Sequence, residues 1–235
     1  MLRMFLSQAL PASYRAAVMV EVRLGSGGQP LRRILCLGSH CDDIEIGCGG
    51  TILRLLREHP GAVIHWNVFS STPIRKREAL RAADVFLAEA KEKKVAIKKF
   101  RDSFFPSLHA RIKGEFEKLK QEFNPDLVLT HYRHDLHQDH RVINELTWNT
   151  FRNHLILEYE IPKYDGDLGA PNCFVALDRF TCDRKAKYIL DSFPSQRTKQ
   201  WFTADTFLAL QRVRGIESNA VGGYAEGFHC RKLVL

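Results

Sequence analysis

Arg33-Ile34-Leu35-Cys36-Leu37-Gly38-Ser39-His40-Cys41-Asp42-Asp43 runs from an unbroken apolar segment straight into a turn of polar, metal-type side chains. A continuous apolar run suits a strand buried on both faces, which is how strands read in a parallel sheet covered by helices. Gly47-Cys-Gly-Gly50 reads as a Gly-rich turn opening a helix through His59, with Ile52, Leu53, Leu55 and Leu56 apolar and Pro60-Gly61 as the stop. Ala62–Phe69 reads as the next strand and 74–90 as a helix, striped by Leu80, Ala83, Val85 and Leu87. Val95–Phe100 reads as a short strand, and Leu108–Phe123 as a helix ended by Asn124-Pro125-Asp126. Leu127–Thr130 is a second buried strand, and 140–153 a helix. The alternation specifies βαβ units, hence an α/β fold with a mostly parallel sheet between two layers of helices. The last third is mixed: a strand at Cys173–Leu177, helices at Cys182–Ser192 and Thr203–Arg214, a Gly222-Gly223 turn and a closing strand at Lys232–Leu235.

The 235 residues are 45% hydrophobic, enough for one sizeable core. Residues 31–235 read as a single domain, with 1–30 as a peripheral extension; no repeat or linker tract divides them. Met1–Val22 is broken by Ser7, Gln8 and Pro11 and makes a poor signal peptide. No run of about 18 apolar residues marks a transmembrane helix. The six cysteines, Cys36, Cys41, Cys48, Cys173, Cys182 and Cys230, form no CxxC pair and read as reduced thiols, which places the expectation in the cytoplasm. The net charge of +8 favours anionic partners. The basic residues are scattered, however, and the Arg75–Arg77 group and the Lys91–Lys99 run read as solvated helix faces. No nucleic-acid partner is expected; a homo-oligomer is compatible with the sequence.

Two polar clusters directly follow the two most apolar strands. One is Ser39–Asp43; the other is His131-Tyr-Arg-His-Asp-Leu-His-Gln-Asp-His140. In open α/β sheets ligands bind beyond the carboxyl ends of the strands, so two distant segments deliver histidines and aspartates to one edge. A lone histidine is more often a satisfied structural residue; two such clusters at one edge read as a metal site. Imidazole with carboxylate suits zinc, or ferrous iron, better than magnesium.

The first cluster with its continuation, Ser39-His-Cys-Asp-Asp-Ile-Glu-Ile-Gly-Cys-Gly-Gly50, resembles the (A)HPDD…G.GG signature of the LmbE-like/PIG-L de-N-acetylases. His137-Gln-Asp-His140 resembles that family's HPDH element. The resemblance covers most of 32–150. It implies a Rossmann-like, metal-dependent hydrolase, usually zinc-binding, that removes acetyl groups from N-acetylglucosamine-type sugars, free or nucleotide- or lipid-linked. It implies His40, Asp43 and His140 as metal ligands and Asp42 as general base. His137 would stabilise the oxyanion or protonate the leaving amine, and Asp139 would orient His137. Arg75 and Asp102 resemble the family's sugar-contacting arginine and aspartate. Cys41 and Gln138 depart from the pattern, each replacing a proline; Cys41 reads as a spacer, with a stray metal contact as the other reading. The residues alone also leave open a two-metal phosphoesterase, which needs more carboxylate ligands, and a binding module with a structural metal, which needs four cysteine-rich ligands.

Overall fold

The computed structural model describes Val22, residues 24–26 and residues 29–234; the expectation for 1–30 falls largely outside the described residues. A short antiparallel ladder, Gly25–Ser26 with Gln29–Pro30, precedes the main fold. The principal elements are β1 (Arg33–Gly38), α1 (Asp43–Glu58), β2 (Val63–Ser70), α2 (Pro73–Phe86), β3 (Glu92–Phe100) and α3 (His109–Glu122). They continue with β4 (Leu127–His131), α4 (Gln138–Thr150), β5 (Leu155–Tyr159), β6 (Cys173–Leu177), α5 (Arg179–Ser192), α6 (Ala204–Glu217) and β7 (Tyr224–Cys230).

Seven strands form one sheet in the order β3-β2-β1-β4-β5-β7-β6. The first five run parallel, and β7 joins antiparallel to both β5 and β6. The chain winds outward from β1 through β2 to β3 and then returns to place β4 on the other side of β1. The switch between β1 and β4 opens a crevice at their carboxyl ends. Separate apolar clusters pack the two sheet faces, one holding Ile34, Cys36, Trp66 and Leu129 and the other Leu35, Leu37, Phe69 and Val128. Alternate residues of the same buried strands feed both, as the continuous apolar runs require.

Several boundaries differ from the sequence reading. Gly47–Gly50 is not a turn before a helix; it lies inside α1, which is interrupted at Cys48 (φ −143°, ψ 18°). The glycines serve close packing: a Cβ on Gly47 would lie 2.2 Å from the Tyr159 ring, and one on Gly50 2.6 Å from Leu177. The break frees backbone groups that need partners. The Glu226 carboxylate accepts the Gly50 and Thr51 amides, while Lys185 Nζ donates to Ile46 O at 2.6 Å and to Glu226 at 2.7 Å. Glu226 belongs to β7, the strand that replaces the one expected at Lys232–Leu235. Its polar Glu226 and His229 hide the strand pattern, because they answer demands from distant segments, Glu226 from α1 and His229 from Tyr132, against which it stacks. Strand β5 is additional to those read from sequence. The Lys91–Lys99 run is mainly edge strand β3 rather than a helix face, with Lys93, Lys94 and Lys98 paired to Asp84, Glu122 and Glu115. Lysines on an edge discourage strand addition. No described helix is long and apolar enough to cross a membrane.

Candidate metal centre

Helices α1 and α4 start at the crevice, immediately after β1 and β4. Asp42 stands at the N-cap of α1 but makes no capping bond. Its carboxylate instead meets Arg75 Nη2 at 2.8 Å. Asp43 turns the other way: its Oδ2 accepts the His40 amide at 2.6 Å, closing a tight turn before the helix. Adjacent aspartates thus serve opposite sides of the turn. His137 caps α4 by accepting the Asp139 amide on Nδ1 at 3.2 Å, so Asp139 and His140 fall in the first helical turn.

Three ligand atoms converge. His40 Nδ1 lies 3.2 Å from His140 Nε2 and 3.4 Å from Asp43 Oδ2, and His140 Nε2 lies 3.6 Å from Asp43 Oδ2. Tetrahedral coordination with bonds of about 2.0–2.1 Å separates neighbouring ligand atoms by about 3.3–3.4 Å. The triangle therefore fits one zinc-sized cation. The donor set of two imidazoles and a carboxylate is also the right chemistry for zinc or ferrous iron. Burial alone would lower the His40 pKa, but Asp43, Asp102 and Asp139 overcome it and raise it well above the usual value. Their combined field favours positive charge here. Burial pushes His140 down to about 3, with His131 adding to the effect, so its ring is neutral and able to ligate.

Two supporting residues come from the second cluster without having been assigned a role by sequence. Asp135 Oδ2 accepts from His140 Nδ1 at 2.8 Å, fixing the proton there and leaving Nε2 for a metal. His131 is fully buried, with Nε2 3.2 Å from Asp43 Oδ2, and is a candidate ligand by proximity. The Ser39 amide donates to that same nitrogen at 2.9 Å, which occupies its lone pair and makes His131 a support instead. The sequence signal for Asp135 was its spacing: five residues before His140, just ahead of the α4 cap. Glu45 is a further unassigned buried group; neither carboxyl oxygen has a partner among the described residues.

The remaining expected residues divide. The His137 ring packs against His40 and His140 at centroid distances of 4.8 and 4.6 Å, so it stands beside the triangle. Since Nδ1 accepts a hydrogen bond, a neutral ring carries its proton on Nε2. Burial, followed by His40, lowers its pKa, so the ring is a neutral donor and not the cation that pairing with Asp139 would make it. Asp139 does not orient His137 through its carboxylate. It is fully buried and takes the Ser103 and Phe105 amides at 2.7 and 3.1 Å, anchoring the loop after β3. The imidazole at ion-pairing distance is that of His40, whose Nε2 lies 3.4 Å from Asp139 and 3.1 Å from Asp102. Asp102 is exposed on the rim. Arg75 is committed to two carboxylates, Asp42 and Glu78, the latter at 2.8 Å, and stacks over Phe193. Cys41 is buried, its thiol directed at Ser70 O and pushed up to about 12 chiefly by burial; it stays a spacer.

The PIG-L model, described as GlcNAc-PI de-N-acetylase, matches residues 35–151. No curated protein matches the sequence. Among solved structures, the conserved protein TT1542 from Thermus thermophilus is similar with a TM-score of 0.67 and 20% identity, over 86% of this chain and 95% of that one. N,N'-diacetylchitobiose deacetylase from Pyrococcus horikoshii gives 0.61 and 20%, over 85% and 84%. The 4-carboxy-2-hydroxymuconate hydratase GalB from Pseudomonas putida KT2440 gives 0.64 and 16%, over 87% and 98%. At these identities the likeness is one of fold, and one fold carries both a deacetylase and a hydratase.

Proposed function

From the premise that this chain belongs to the LmbE-like/PIG-L family of de-N-acetylases, we propose that it is a metal-dependent hydrolase that deacetylates an N-acetylated sugar. The observation that carries the reading is the triangle of His40 Nδ1, Asp43 Oδ2 and His140 Nε2, with the His137 ring beside it and Asp42 next to Asp43 in the chain. His40, Asp43 and His140 would hold a zinc or ferrous ion, which would supply Lewis acidity for water and for the amide carbonyl.

The chain's own groups complete the reaction. Asp42, unused as a helix cap and oriented by Arg75, accepts a proton from the attacking water. His137 Nε2–H donates to the oxygen on which negative charge develops. When the C–N bond breaks, the proton held by Asp42 passes to the departing nitrogen, giving acetate and a free amine. Asp102, exposed on the rim, contacts sugar hydroxyls in this reading. A phosphate-bearing carrier suits the net charge of +8. P. horikoshii diacetylchitobiose deacetylase lends support to an N-acetyl sugar as substrate.

A hydratase reading rests on the GalB likeness. Acetate release separates the two: N-acetylglucosamine, its nucleotide-linked form and a lipid-linked form are each incubated with zinc-loaded enzyme. Stoichiometric acetate and free amine from at least one supports the reading; a metal-loaded enzyme that releases no acetate from any of them sinks it.

A further inference from the structure

The segment between β5 and β6 reaches back to the metal centre through one side chain. Lys163 Nζ lies 3.0 Å from Asp135 Oδ2, the same oxygen that receives His140 Nδ1–H at 2.8 Å. Lys163 is itself held by Asp167, whose carboxylate also accepts the Leu136 amide at 2.6 Å. Asp135 does not need Lys163 to stay in place. Its Oδ1 accepts the His137 amide at 2.8 Å, its own amide donates to Tyr132 O at 3.2 Å, and Arg141 donates to its carbonyl at 3.0 Å.

We propose that Lys163 is a positioning residue that weakens the hold of His140 on the metal by sharing the Asp135 carboxylate. The inference rests on the metal-centre reading above. A carboxylate behind a ligating imidazole increases that ring's donor strength. An ammonium on the same oxygen draws the negative charge away from the ring, and it also adds positive charge near the cation. Both effects act in one direction: the metal is bound less tightly and stays more electron-poor, which favours its Lewis-acid work. Lys163 thus trades metal affinity for electrophilicity.

The sign of one substitution distinguishes this role from simple scaffolding. Full-length protein is stripped with a chelator, and zinc affinity is measured by competition with a chromophoric chelator. Lys163→Met, which keeps the aliphatic stem, binds zinc about tenfold more tightly, and Lys163→Gln changes it in the same direction. Lys163→Arg keeps the wild-type affinity. Asp135→Asn binds about 10- to 100-fold more weakly, and in that background the gain from Lys163→Met shrinks. A scaffolding lysine predicts the opposite, looser zinc in Lys163→Met. Unchanged or weaker zinc binding in folded Lys163→Met and Lys163→Gln overturns the proposal while leaving the hydrolase reading intact. Wild-type protein that takes up no zinc overturns the metal centre itself.

Discussion

Replacing Arg75 with alanine tests whether this arginine acts through the general base or on the substrate. The guanidinium bridges Asp42 and Glu78, each at 2.8 Å, with its side chain 17% exposed. Glu78 is buried but retains the Ser195 amide and hydroxyl at 2.8 and 2.7 Å, so it is not stranded by the loss. Breaking a fully buried pair costs about 3–5 kcal/mol; the residual exposure and the Ser195 bonds reduce this to ~1.5–3 kcal/mol. For a chain of this size that lowers Tm by about 3–12 °C. Asp42 also loses its orienting partner, so kcat falls about ten- to a hundredfold, an order set by the value of a charge-assisted contact. The loss is the same on free and phosphorylated N-acetyl sugars, because it arises at the base. In an Asp42→Asn background, Arg75→Ala costs no further activity. Arg75→Lys restores little, since an ammonium cannot bridge both carboxylates in the fork geometry. The measurements are acetate release and thermal melting. A Lys or Ala variant with intact kcat and a raised KM only on the phosphorylated sugar refutes the reasoning and makes Arg75 a phosphate contact.

The two aspartates should separate cleanly: Asp42→Asn keeps about one zinc per chain by elemental analysis but loses about 10²–10⁴-fold in kcat, whereas Asp43→Asn loses the metal. Exchanged phenotypes would reverse the assignment. Stability should also depend on pH through His229, which lies outside the metal centre. Burial, then Arg214 and His134, lower its pKa to about 4. Between that value and about 6.5 the unfolded chain binds the extra proton. Its contribution is therefore complete above the unfolded value and is lost as pH falls towards the folded one. The urea midpoint should drop from pH 7.5 to pH 5 more steeply in the wild type than in His229→Phe; parallel slopes would remove His229 from the account.

The alternation of apolar runs with helical stripes was sufficient for the α/β class, since strands buried on both faces carry no polar positions to blur them. Ile34–Leu37 and Leu127–Thr130 are such strands, and the clusters after them were legible as a candidate site because open parallel sheets bind ligands at that edge. Where residues answer demands from distant segments, local pattern misleads. Gly47 and Gly50 resemble turn glycines but make room for Tyr159 and Leu177 inside α1. Glu226 looks like a loop carboxylate but satisfies the amides freed by the break at Cys48. The same distinction runs through the site. The kinds of side chain and their positions after β1 and β4 were present in the order of residues alone. Their division of labour was decided by tertiary structure: Asp139 serves the loop after β3, Asp135 holds His140, and Arg75 is spent on Asp42 and Glu78. The physical reason is that a carboxylate's role depends on which donor or cation lies within about 3 Å of it. Here those partners come from residues up to 176 positions away in the chain, as Gly50 is from Glu226.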